Sequence, residues 1–232
     1  MKKYTHLFFD LDHTLWDMDT NSRETIREIF NDHQLTRLGV PAFERFMEHY
    51  TEVNEFMWEQ FRLGKIDKET LRFGRFEHTL QRFGIHDQQA LSRKLGDAYV
   101  EKAPEKTNLM PHTREVLDYL SGKYTLHIIT NGFPEVQGRK MRGSGIDHYF
   151  DCLVISEEVG FKKPDPRIFE HAVQVAGALK HESMMIGDNL EVDVKGAKSY
   201  GMDQIWYNTK GEELTDEITH HIDSLLHLKN IL

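Results

Sequence analysis

Leu7-Phe8-Phe9 is a run of three large apolar side chains that passes directly into Asp10 and Asp12. A strand without polar alternation has to be buried on both faces, which is the place of a central strand in a parallel sheet. Two carboxylates at the end of such a strand conflict, because each disfavours ionisation of the other and burial raises the cost. A divalent cation removes the conflict: carboxyl groups and a backbone carbonyl make a hard oxygen site suited to Mg²⁺. The plain alternative is that Asp12 or Thr14 caps the turn that follows. The pair alone leaves both open.

Four more short apolar runs follow: 125–129 before Thr130-Asn131-Gly132, 152–155 before Ser156, 183–186 before Gly187-Asp188, and 204–207 before Asn208. Between them lie segments with helical spacing, at 111–122, 134–143, 165–176 and 191–200. Strands alternating with helices predict an α/β fold with a doubly wound, Rossmann-like parallel sheet covered on both faces. Ligands in such sheets sit at the carboxyl ends of the strands. Asp10, Thr130, Ser156 and Asp188 are therefore expected on one rim.

Residues 16–104 break this rhythm and read as successive helices at 22–34, 41–63, 67–83 and 87–101, with Asp67 as the cap of the third. The expected division is an α/β core from 1–15 and 105–232, with 16–104 an inserted all-helical cap over the rim. The stretch 215–221 gives no clear signal, and 223–232 is expected to form a last short helix.

The composition of the 232-residue chain, 39% hydrophobic and 29% charged, is that of a globular protein. A net charge of −9 without a dense Lys/Arg run argues against a partner that is a nucleic acid polymer. No apolar stretch approaches the roughly 20 residues of a membrane span. Met1-Lys2-Lys3 enters a strand too soon for a signal peptide, so a cytoplasmic location is expected. The single cysteine, Cys152, excludes an internal disulfide, and its apolar setting predicts a buried structural thiol.

Three further strand ends carry candidate chemistry. Thr130, Asn131 and Gly132 can present a hydroxyl, an amide and backbone N–H groups to an anion, or form an ordinary Asn-Gly turn. Lys163, before Pro164 at a helix start, can neutralise a phosphate or a nucleophilic carboxylate, or can be a surface lysine like Lys162. Asp188 can complete a metal's oxygen set, with Asp193 orienting it from behind, or both acids can simply favour a helix N-terminus.

Taken in order, Asp10-Leu11-Asp12-His13-Thr14, Thr130-Asn131-Gly132, Lys163-Pro164 and Gly187-Asp188 with Asp193 resemble the four motifs of the haloacid dehalogenase-like hydrolase superfamily. The helical insert stands where that superfamily's C1 cap belongs. The resemblance implies a phosphatase in which Asp10 is the nucleophile, forming an aspartyl-phosphate, and Asp12 is the general acid and base. It implies Mg²⁺ held by Asp10, the Asp12 carbonyl and Asp188, and phosphoryl oxygens held by Thr130, Asn131, Gly132 and Lys163. Dehalogenases lack an acid at the position of Asp12, since halide needs no proton on leaving. Phosphomutases keep it.

The cap segment Asn54…Trp58…Phe61…Gly64…Ile66…Leu71…Gly74-Arg75-Phe76 is similar to that of a pyrimidine 5′-nucleotidase branch. So are 129–133 and 153–160. This implies a small-molecule phosphomonoester substrate, a nucleoside monophosphate, with Asn54, Trp58 and Arg75 as candidate substrate contacts. The alternatives are a phosphatase of sugar phosphates or phosphoglycolate-like metabolites, a phosphomutase, or a phosphate-binding protein without turnover. His13 departs from the pattern, because many relatives carry Gly or Glu there.

Overall fold

In the computed structural model, which describes residues 3–213 and 217–232, the five apolar runs become five of six strands. These are β1 (His6–Phe9), β2 (Thr125–Thr130), β3 (Phe150–Ile155), β4 (Ser183–Gly187), β5 (Asp203–Tyr207) and β6 (His220–Ile222). They form one sheet in the order β3-β2-β1-β4-β5-β6, parallel throughout. β1 is central, and the order reverses direction beside it, which is where such sheets open a crevice. Phe9 is level with Ile128 on β2 and with Ile186 on β4. Asp10, Thr130 and Asp188 therefore leave the sheet at the same edge.

The chain divides into two compact units, residues 1–18 with 107–232, and residues 19–106. The second unit is helical: α1 (Met18–Asp32, beginning one residue before it), α2 (Phe43–Arg62), α3 (Lys68–Gln81) and α4 (Gln89–Lys102). Its own core gathers Ile26, Phe30, Phe46, Tyr50, Phe76, Leu80, Leu95 and Tyr99. Asp67 caps α3 by accepting the Thr70 N–H at 2.7 Å, satisfying one of the orphan donors of a helix start.

The first unit adds α5 (Thr113–Ser121), α6 (Pro134–Gly143), α7 (Ser156–Val159), α8 (Pro166–Val175), α9 (Lys195–Tyr200) and α10 (Leu228–Ile231). Leu7 and Phe9 pack with Leu126, Ile128, Val116, Leu117 and Leu120 on one face of the sheet. Phe8 packs with Ile129, Met185, Ile168, Phe169 and Ala172 on the other. This is the two-sided burial that an unalternated strand requires.

Some local expectations give way. The segment read as one helix over 191–200 is a π-helical turn, Leu190–Val194, followed by α9. The tail is a 3₁₀ turn at Leu225–His227 ahead of α10. In the unread stretch 215–221, Thr215 and Asp216 lie outside the described residues, as do Met1 and Lys2. Cys152 is half-buried rather than buried, because β3 is an edge strand. Among the described residues, no helix is long and apolar enough to cross a membrane.

Candidate active site

Asp10 follows β1 directly and its backbone N–H donates to the Ile186 carbonyl at 2.9 Å, so its position is fixed by β4. The carboxylate is buried, 8% exposed. Its Oδ1 accepts from Lys163 Nζ at 2.5 Å. The same ammonium reaches the Ile129 carbonyl at 2.8 Å and Asp193 Oδ1 at 2.6 Å. The ammonium is thus hydrogen-bonded to Asp10 and the Ile129 carbonyl and ion-paired with Asp193. Burial works against the Lys163 charge, but Asp10 and Asp193 more than offset it and hold the ammonium above the usual lysine range. Lys163 is therefore one of the most buried residues of the site, and not the surface lysine its sequence neighbourhood also allowed.

Asn131 anchors this lysine. Its side-chain Nδ2 donates to the Lys163 carbonyl, and its Oδ1 accepts the Lys163 N–H, both at 2.9 Å. That differs from the expectation of an amide presented to an anion: the side chain closes a two-bond clasp on backbone. Thr130 Oγ1 accepts from Gly132 N–H at 3.0 Å and Gln137 Nε2 at 2.7 Å. A hydroxyl whose lone pairs are both engaged keeps its own proton to donate.

Asp12 turns away from Asp10. Its Oδ2 accepts from Gln137 Nε2 at 3.1 Å and its Oδ1 pairs with Lys140 Nζ at 2.7 Å. Lys140 lies 4.3 Å from the centre of the Trp16 ring and is 5% exposed. Gln137 and Lys140 stand three residues apart on α6, hence on one face. Sequence reading passed over both, and a buried Gln and Lys at helical spacing just after a strand end was the available signal.

Asp188, at the end of β4, is held by Thr14, whose hydroxyl both donates to its Oδ1 and accepts its N–H at 3.1 Å. Thr14, read as part of the first motif or as a cap, is wholly buried. The turn that delivers it places His13 at φ 65°. Left-handed backbone explains why glycine suits that position, and histidine is among the side chains that tolerate it. Trp206 Nε1 donates to the Asp188 carbonyl at 2.9 Å.

Asp193, expected behind the metal ligands, stands among the acids. The π-helical turn carries it back under β4, where its Oδ2 accepts the Asn189 N–H at 3.1 Å. A Cβ on Gly187 would lie 2.5 Å from that carboxylate oxygen, so only glycine leaves the space. Asp10, Asp188 and Asp193 offer oxygens that all lie within 4.8 Å of one another. Burial, with Lys163 opposing and the other acids assisting, pushes the Asp10 carboxyl well above its usual range. Burial and then Asp193 push Asp188 up to about 6, against His13 and Thr14. Three clustered acids with one lysine between two of them favour a further cation, and the all-oxygen donor set fits Mg²⁺.

The helical unit's candidates are placed separately. Arg75 is 5% exposed, donates to Asn54 Oδ1 at 3.2 Å and lies 4.3 Å from the centre of the Tyr99 ring. Trp58 meets Phe61 edge-on at 5.7 Å.

The profile described as haloacid dehalogenase-like hydrolase matches residues 4–201. A pyrimidine 5′-nucleotidase of Escherichia coli, YjjG, is 32% identical over 99% of this chain and 98% of its own. PynA of Streptococcus pneumoniae, also a pyrimidine 5′-nucleotidase, is 31% identical over 88% of this chain and 84% of its own. The crystal structure of the HAD-hydrolase YfnB from Bacillus subtilis, bound to magnesium, matches with a TM-score of 0.88 at 27% identity, covering 99% of both chains. With the acids and lysine at the strand ends of a parallel sheet and this match along most of its length, the chain belongs to the haloacid dehalogenase-like hydrolases.

Proposed function

We propose that the protein is a Mg²⁺-dependent phosphatase of pyrimidine nucleoside 5′-monophosphates, working through an aspartyl-phosphate on Asp10. The observation that carries this reading is the separation of the two first acids. Asp10 is held by Lys163 among other carboxylates, whereas Asp12, two residues on, is held by Gln137 and Lys140. Two carboxyls with different partners suit two different roles.

In this reading an Asp10 oxygen attacks phosphorus and the bond to the ester oxygen breaks. Asp12 gives its proton to that leaving oxygen, then takes a proton from the water that attacks the aspartyl-phosphate. Inorganic phosphate leaves and the Asp10 carboxylate is restored. The Thr130 hydroxyl proton and the Lys163 charge serve the phosphoryl group, with the Gly132 N–H held on Thr130 Oγ1 and Asn131 keeping Lys163 in place. Mg²⁺ bound by Asp10, Asp188 and the Asp12 carbonyl would neutralise charge on the transferring group. Asp193 positions Lys163 and the neighbouring acids.

Residues 16–104 are assigned the part of a cap, with Asn54, Trp58 and Arg75 as its substrate contacts. The nucleotide assignment is supported by relatives named as pyrimidine 5′-nucleotidases that align along nearly the whole chain.

A panel of phosphomonoesters with Mg²⁺ tests both levels. UMP and dTMP are expected to give kcat/KM at least about tenfold above sugar phosphates and phosphoglycolate, a discrimination of about 1.4 kcal/mol. The reverse order would replace the nucleotide assignment while leaving the phosphatase. Asp10→Asn is expected to abolish hydrolysis of every ester in a folded protein, and retained turnover would remove the nucleophile.

A further inference from the structure

A second group of metal-ligating side chains lies at the start of β1 rather than its end. Phe8 is level with His127 on β2, and His127 with Cys152 on β3. His6, two residues before Phe8, shares that face of the sheet. The register shifts at this point: Leu126 faces Phe150 but His127 faces Cys152, which leaves Asp151 as an extra residue on β3. A bulge of this kind interrupts the alternation of side chains and re-aims them. Consecutive Asp151 and Cys152 accordingly both reach His127, and ligand atoms of the three lie within 4.8 Å of one another.

His6 backs the group. Its Nδ1 is 3.0 Å from His127 Nε2, and the two rings stack with centres 5.3 Å apart. His127 is wholly buried, yet its Nδ1 finds no hydrogen-bond partner among the described residues. A buried nitrogen left in that state is costly and calls for an explanation. With Nε2 held against His6, Nδ1 is the nitrogen of His127 left to a ligand. Asp151 is exposed and Cys152 half-buried, so the group is open to solvent on one side.

We propose that His127, Asp151 and Cys152, with His6 orienting the His127 ring, form a binding site for a borderline divalent ion of the Zn²⁺ class, separate from the carboxylate cluster at the strand ends. An imidazole, a thiolate and a carboxylate supply three donors of a tetrahedral set, with water as the fourth, the nitrogen about 2.0–2.1 Å and the sulfur about 2.3 Å from the ion. Mg²⁺ demands oxygen and water instead, so the two sites choose different metals. On binding, the Cys152 thiol gives its proton to solvent and the sulfur becomes the ligand. The bound ion would tie β2 to β3, and β1 to both through His6, and the far ends of β1 and β2 lead to Asp10, Asp12, Thr130 and Asn131.

The test is a Co²⁺ titration of the full chain held in excess Mg²⁺, followed by competition with Zn²⁺. The wild-type protein is expected to bind one equivalent with an intense sulfur-to-metal charge-transfer band, which Zn²⁺ removes. Cys152→Ser is expected to lose the band and to bind Zn²⁺ about tenfold or more weakly. Its circular dichroism and its melting temperature without metal should stay as in wild type. His6→Ala should weaken Zn²⁺ binding by a similar factor without touching the sulfur. A wild-type titration with no sulfur band, a Cys152→Ser protein with unchanged affinity, or binding that vanishes in Asp188→Asn instead would each overturn the assignment.

Discussion

The Lys163 ammonium hydrogen-bonds Asp10 and the Ile129 carbonyl and is ion-paired with Asp193. Its charge is thereby fixed at the base of the acid cluster. Lys140 does for Asp12 what Lys163 does for Asp10, with the Trp16 ring beneath it. A charge-assisted hydrogen bond of this kind is worth about 1.5–3 kcal/mol. Lys140→Met is therefore expected to lower kcat by about ten- to a hundredfold, with melting temperature as the control; an unchanged kcat would mean that Gln137 alone positions Asp12. His127 gives a pH signature. Its native pKa of about 4 lies below the usual 6.5, so its contribution to stability is present above 6.5 and is lost as pH falls towards 4. The loss amounts to at most about 3 kcal/mol. Denaturant titrations of metal-free protein across pH 4–7 should show that slope, and His127→Phe should flatten it.

Among the elements, the π-helical turn at Leu190–Val194 has the most chemical consequence, because it returns Asp193 to the strand end beneath Gly187. Gly187→Ala would thrust a Cβ into that carboxylate. It is expected to cost at least as much activity as Asp193→Asn, although it removes no functional group; a fully active Gly187→Ala protein would show that Asp193 can move without penalty. Sequence reading reached β1 to β5 because each is an apolar run closed by small or polar residues. It missed β6, a three-residue edge strand in which only Ile222 is buried, and α7, a single turn. It also merged the π turn with α9, since both share a helical period within error. The strand-end acids were legible from type and place, but not their partners. Whether Asp12 faces Asp10 or Lys140 depends on contacts 128 residues apart in sequence. His127, a lone imidazole inside an apolar run, was a signal left unread, because its meaning comes from a bulge on another strand.

At the scale of the molecule, the two units each have a core of their own, aromatic and helical in one and sheet-centred in the other. Unfolding of such a chain departs from a single two-state transition. Calorimetry with increasing Mg²⁺ is expected to raise the transition of the α/β unit while leaving that of the helical unit in place, by mass action on the state that binds the ion. A single transition moving as a whole would show the cores to be coupled. The position of β1 has a consequence in time as well as in space. It is synthesised before the other strands of the sheet, yet its two neighbours begin at residues 125 and 183. A growing chain therefore holds this apolar strand, with Asp10 behind it, unpaired while the whole helical unit is made. Only when the chain has emerged as far as residue 187 can that strand be closed on both sides, so Asp10 is translated long before the strand that completes its housing.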